Sequence, residues 1–225
     1  MLLLITDTSG EQGSVALARS NDDPDGVEVI ESAALTGGTF SAQLVPQIAS
    51  LLGKHRLNKS DVGAFVVVAG PGSFTGLRVG LAAIKALAEI LDKPIVPVSL
   101  LEVVALAAGA QGKVLAALNA GRGEFYVGEY EIAGFAARLL QERLLSKDDV
   151  LAGAPGFVIS TPDVALAEIA RANGIPVSLI ENITAAMIAR LGVRKLSKGA
   201  TVSPEQLEAN YGRRSDAEIF AKPNS

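Results

Sequence analysis

Cysteine is absent from the 225-residue sequence and histidine occurs once, at His55. The first absence excludes a disulfide framework. The two together exclude a zinc site built on thiolates or on several imidazoles, so any metal would have to be a hard cation on carboxylates. Positive charge is in short supply too: 20 Lys and Arg stand against 24 Asp and Glu. No basic stretch is long enough to follow a phosphate backbone unaided, so contact with RNA would need a partner. Long apolar runs are also missing. The opening MLLLITDTSG reaches Thr6 and Asp7 after a short apolar run, with no basic n-region and no stretch of spanning length. The expectation is a soluble, cytoplasmic protein without a membrane role. Hydrophobic side chains, by contrast, make up 49% of the residues, enough to bury a core as one domain or two small lobes.

Periodicity divides the chain. Residues 2–6, 13–19 and 27–35 read as three strands separated by turn-forming residues. Leu44, Val45, Ile48, Leu51 and Leu52 then fall on one helical face, with Pro46 tolerable only in a first turn. The buried-type strand AFVVVA, a glycine-rich loop, a helix over 77–91, a strand over 95–98 and a helix over 99–108 follow. After GAQGK the order restarts with VLAALNA, a glycine turn, EFYVGEY and a strand within 137–145. GFVIS and helices over 164–172 and 183–191 complete that half. The pattern predicts an α/β fold with mixed sheets and crossover helices, in a first lobe of residues 1–109 and a smaller second lobe of 110–225 whose last segment could return to the first. Two halves that each open on a meander suggest duplication, although no residue-level repeat is visible.

The loop Gly70, Pro71, Gly72, Ser73, Phe74, Thr75, Gly76 sits between strand and helix, where phosphate cradles occur. It lacks the Gly-Lys-Ser/Thr of a Walker loop, and its glycines carry one residue too many for the dinucleotide pattern G-x-G-x-x-G. What remains is a turn in which glycine permits unusual φ, Pro71 stiffens the exit, and Ser73 or Thr75 caps the helix. That helix confines its charges, Arg78, Lys85 and Glu89, to a narrow stripe and is otherwise apolar or small, so it must be covered on nearly all sides. Its cover is either helix 41–52 of the same chain or a partner subunit.

The segments LLLITDTSGEQGSVALA, QLVPQIASLL, GPGSFTGLRVGLAAIKALA, PIVPVSLLEVVA and ALNAGRGEFYVGEY resemble, in order and spacing, the bacterial TsaB family, also called YeaZ. GPGSFTGLR is the most specific of them. The resemblance covers residues 1 to about 130 and fades beyond, apart from NYGRR at 210–214, which resembles the family's Tyr-x-Arg element. It implies a two-lobed actin-like fold (ASKHA, ribonuclease H-like) and a non-catalytic part in making N6-threonylcarbamoyladenosine in tRNAs that read codons beginning with adenosine. The implied partners are the paralogous TsaD subunit, which transfers the threonylcarbamoyl group, and the ATPase TsaE. Two departures stand out: Phe40 occupies a position where many relatives carry histidine, and the turn 119–124 reads Asn-Ala-Gly-Arg-Gly-Glu in place of Asp-Ala-Arg-Arg-Gly-Glu.

The residues themselves offer little catalysis. Asp7 takes the place of the magnesium-linked aspartate of actin-like ATPases, but before Thr-Ser-Gly it reads better as an Asx turn. His55 reads as a solvated loop residue, Arg122 and Glu124 as hairpin-turn charges, and Asp148, Asp149 and Asp163 as helix starts. A glycoprotease would need paired histidines that are missing. A kinase of the same fold, the main alternative, would need phosphate loops in both lobes. The expectation is therefore no catalytic, cofactor or metal residue in this chain, with any ATP bound by partner subunits and tRNA met only through the complex. A partner interface is expected on the first two helices at Leu44, Ile48, Leu51, Arg78, Gly80, Ala83 and Leu87. Alone, the chain is expected to bury the same helices in a homodimer.

Overall fold

The computed structural model describes residues 1–21 and 26–212, and these divide into two compact units, the described residues of 1–103 with 182–209, and 104–181 with 210–212. In the first, β1 (Leu2–Asp7), β2 (Gln12–Ser20) and β3 (Val27–Thr36) form an antiparallel meander. After α1 (Phe40–Lys54), β4 (Val62–Gly70) pairs parallel with β1; after α2 (Phe74–Leu91), β5 (Ile95–Ser99) pairs parallel with β4. The sheet order is β3-β2-β1-β4-β5. Alternation along the strands gives the sheet two buried faces. Leu4, Val15, Leu17, Phe65 and Val67 pack with Leu44, Ile48, Leu51, Leu81 and Ile84 of α1 and α2.

The second unit repeats that plan. α3 (Leu100–Ala107) leads from the first unit into it, and β6 (Gly112–Gly121), β7 (Glu124–Ala133) and β8 (Ala136–Ser146) form its meander. β9 (Val158–Thr161) runs parallel to β6 and β10 (Val177–Leu179) parallel to β9, in the order β10-β9-β6-β7-β8. Leu115, Phe125, Val127 and Ile159 pack with Val150 of α4 (Lys147–Gly153) and Leu166 and Ala170 of α5 (Val164–Ala172). Three antiparallel strands followed by two parallel ones, twice over, is the ribonuclease H-like arrangement of a two-lobed actin-like α/β fold.

The sequence reading differs from the structure in several places. The second predicted helix of the second half, α6 (Ala185–Ser197), packs instead on all five strands of the first sheet. It covers the face opposite α1 and α2, with Gly192 against Val66. Pro46 lies in the second turn of α1 rather than the first. It is tolerated because it is exposed, as is Ala42, whose carbonyl, deprived of its amide partner, can turn to water. Strand β10 was not anticipated; three residues offer too little pattern.

Candidate functional site

The site begins where β1 ends. Asp7 Oδ1 accepts hydrogen bonds from Ser9 N–H (2.9 Å) and Ser9 Oγ (2.6 Å), the Asx turn read from the sequence. Burial pushes the Asp7 carboxyl above its ordinary range, the bonds from Ser9 opposing this only in part. The turn then runs directly over the glycine loop. Ser73 N–H donates to Ser9 O at 2.7 Å. A Cβ on Gly72 would lie 2.3 Å from Ser9 O, one on Gly76 2.1 Å from Thr8 O, and one on Gly80 2.2 Å from Thr8 Oγ1. No Cβ tolerates such distances, so these glycines admit the β1–β2 turn.

Ser73 caps α2, its Oγ accepting Gly76 N–H at 3.3 Å, while Thr75 is exposed. Helix α2 begins at Phe74, three residues before the position read from the sequence, because glycine normally ends a helix and here is built into one. Phe40 explains its own departure from the family: it is 5% exposed, its ring lying against Gly13 and Gly76. Its work is packing.

Opposite the buried glycines, α2 turns Phe74, Arg78, Ala82 and Ala86 to solvent, and α1 turns Ala42, Val45, Pro46 and Ala49. Phe74 is 48% and Val45 52% exposed, and the Arg78 guanidinium stacks 3.7 Å from the centroid of the Phe74 ring. The seven predicted interface residues distribute unevenly over these helices. Leu44, Ile48 and Leu51 are buried in the unit's own core, Gly80 is buried under Thr8, Ala83 and Leu87 are half-buried against that core, and Arg78 lies outward. An apolar row found by periodicity is the row a helix spends on its own sheet. The outward row carries mostly small residues, with Phe74, Arg78, Val45 and Ile90 as its large ones.

The remaining candidates are structural. His55 Nε2 lies 2.8 Å from Glu31 Oε2 while Lys54 Nζ donates to Oε1 at 2.6 Å. Lys54 first and His55 second hold the Glu31 carboxyl below its usual range. His55 is thus tied to β3 and not simply solvated, a long-range pairing that local spacing could not reveal. Arg122 sits exposed at the tip of the β6–β7 turn with φ 56°, and Glu124 opens β7. Asp163 caps α5, Oδ1 accepting Leu166 N–H (2.8 Å) and Oδ2 accepting Asn119 Nδ2–H (2.9 Å). Asp148 and Asp149 lie in the first turn of α4, where Ser146 Oγ donates to Asp149 Oδ2 at 2.6 Å. Asn210 Nδ2 donates to both oxygens of Glu142, whose carboxyl burial pushes up. Arg213 and Arg214 of the C-terminal element lie outside the described residues. Among the described residues no three His, Cys, Asp or Glu side chains are grouped to hold a metal ion, and no helix is long and apolar enough to cross a membrane.

Residues 34–187, more than half of the chain, match the family described as TsaD: tRNA N6-adenosine threonylcarbamoyltransferase. The chain belongs to this family. Its curated and solved relatives include TsaB (YeaZ) proteins. The tRNA threonylcarbamoyladenosine biosynthesis protein TsaB of Bacillus subtilis is 35% identical over 134 residues, 58% of this chain and 56% of the relative. That of Escherichia coli is 33% identical over 134 residues, 58% and 55% respectively. The chain thus spans about half the length of these curated TsaB relatives. Solved structures match it further. YeaZ from Pseudomonas aeruginosa superposes with TM-score 0.72 at 25% identity, covering 93% of this chain and 99% of that one. An uncharacterized protein with similarity to peptidase YeaZ from Pseudomonas aeruginosa gives 0.72 at 27% identity, covering 94% and 99%.

Proposed function

We propose that the chain is the non-catalytic scaffold or activator subunit for synthesis of N6-threonylcarbamoyladenosine in tRNA, working in the cytoplasm by docking a TsaD-type catalytic subunit. The observation that carries this reading is the filled cradle. The Thr8–Ser9 turn occupies the space at the head of α2 where a nucleotide-binding loop would leave room for phosphate. An element that has closed its own ligand space keeps only its outer surface to work with, and here that surface is the outward row of α1 and α2. The Phe74–Arg78 stack at one end is the kind of aromatic and Arg anchor that dominates protein interfaces. ATP belongs to the partners, a TsaD-type subunit and a TsaE-type ATPase, and tRNA is met through the assembly.

The test is reconstitution with the organism's own TsaD and TsaE homologues, tRNA, ATP and threonylcarbamoyl-adenylate, scoring modified nucleoside by mass spectrometry. Product that depends on this chain is the expected result. Equal product without it would remove the chain from the reaction.

A further inference from the structure

Glycine within a helix costs about 1 kcal/mol relative to alanine, and α2 buries two, Gly76 and Gly80, on the side facing the β1–β2 turn. Both are explained by a single neighbour. Thr8 is 2% exposed, with its carbonyl over Gly76 and its hydroxyl over Gly80. One turn earlier, Ser9 O holds the N–H of the capping Ser73. The first two turns of α2 therefore rest on three successive backbone or side-chain groups of a single tight turn, and that turn is braced in its own right by Asp7.

Phe74 and Arg78 stand two residues before Gly76 and Gly80, roughly 200° around the helix, so whatever sets the depth of the glycines sets how far the stack projects. We propose that the Thr8–Ser9 turn is a built-in wedge that fixes the position of the head of α2. On this proposal, Thr8 and Gly80 are positioning residues for partner docking, acting through Phe74 and Arg78 without touching the partner. This rests on the docking reading above. Close-packed interiors transmit a displacement instead of absorbing it, and Thr8, β-branched and buried, has few rotamers with which to yield. Binding sites tolerate only about 0.5 Å of misplacement.

A reciprocal size swap tests it. Thr8→Ala removes the hydroxyl and methyl that overlie Gly80; Gly80→Ala adds a methyl into the same space; the double variant exchanges one for the other. Binding of each full chain to its own TsaD-type paralogue is measured by calorimetry at a temperature where thermal melts show the chain folded. Gly80→Ala is expected to weaken binding about 10-fold or more, equivalent to about 1.4 kcal/mol, and Thr8→Ala several-fold. The double variant is expected to return close to the unmutated Kd, a non-additivity that marks direct coupling. If Gly80→Ala does not fold, Thr8→Ala and the double variant carry the comparison. A purely structural role would move the melting temperature and leave Kd alone. That outcome, or a double variant as weak as its single changes combined, overturns the proposal. Arg78→Glu separates the two levels. Undiminished binding by Arg78→Glu would sink the docking reading and this proposal with it, whereas lost binding without size-swap coupling would sink the wedge alone.

Discussion

Asp7 holds a carboxylate on which burial and hydrogen bonding act in opposite directions, and burial prevails. The sign of its effect on stability follows. An acid whose pKa is raised by folding favours the folded state in its protonated form, so its contribution is present below the unfolded value of about 3.9 and is lost as the pH rises through the folded one. Asparagine keeps an oxygen to accept both bonds from Ser9 and has no charge to desolvate. Asp7→Asn should therefore be more stable than the unmutated chain at neutral pH, with the advantage vanishing as the pH falls below about 4. Urea titrations across that range check this. A variant less stable by the same margin at every pH would mean that the carboxylate is needed for its geometry alone. The same residue would behave differently if it served a magnesium ion, because a metal ligand is stabilised in its charged form.

At the scale of elements, α6 shows what adjacency in sequence conceals. Its periodicity was legible, but its address was not. Consecutive elements usually pack together, which assigned residues 183–191 to the second half, while the structure sends Ala185–Ser197 back across the first sheet. The decisive contact is Gly192, where a Cβ would stand 2.6 and 2.7 Å from the two methyls of Val66. Helix propensity alone predicts that Gly192→Ala stabilises by about 1 kcal/mol. Overpacking against a β-branched neighbour predicts a loss of about 1–3 kcal/mol. Destabilisation in denaturant melts, partly recovered by adding Val66→Ala, is the expected result; stabilisation would detach α6 from the first sheet.

The glycine loop was half-legible for a related reason. Its failure to match a phosphate motif could be read from spacing. That Gly72, Gly76 and Gly80 exist to admit Thr8 and Ser9 could not, because the contact joins residues far apart in sequence. Leu44, Ile48 and Leu51, expected at a partner interface, lie in the unit's own core, because periodicity marks burial without saying by what.

For the whole molecule, the question is what covers the outward face of α1 and α2. Val45 and Phe74 are about half exposed, and between them the helices offer mainly alanine, so another helix pair could approach closely without leaving voids. Chains without a partner commonly cover such a face with a second copy, and a two-fold arrangement presents every residue of the patch twice. The expected state of the isolated chain is a homodimer, visible by light scattering behind gel filtration. Ala82→Arg, placing a charge in the outward row and not in the core-facing row of Ala83, should yield folded monomer. Because the TsaD-type partner is proposed to use the same row, adding it should dissolve the homodimer, and Ala82→Arg should lose both associations together. Two faces would behave otherwise: a substitution that frees the monomer yet leaves partner binding intact would place the catalytic subunit elsewhere. The single shared surface makes a sharper demand, that homodimer and heterodimer compete, so raising the concentration of this chain should weaken its apparent affinity for the partner in proportion to the dimer formed.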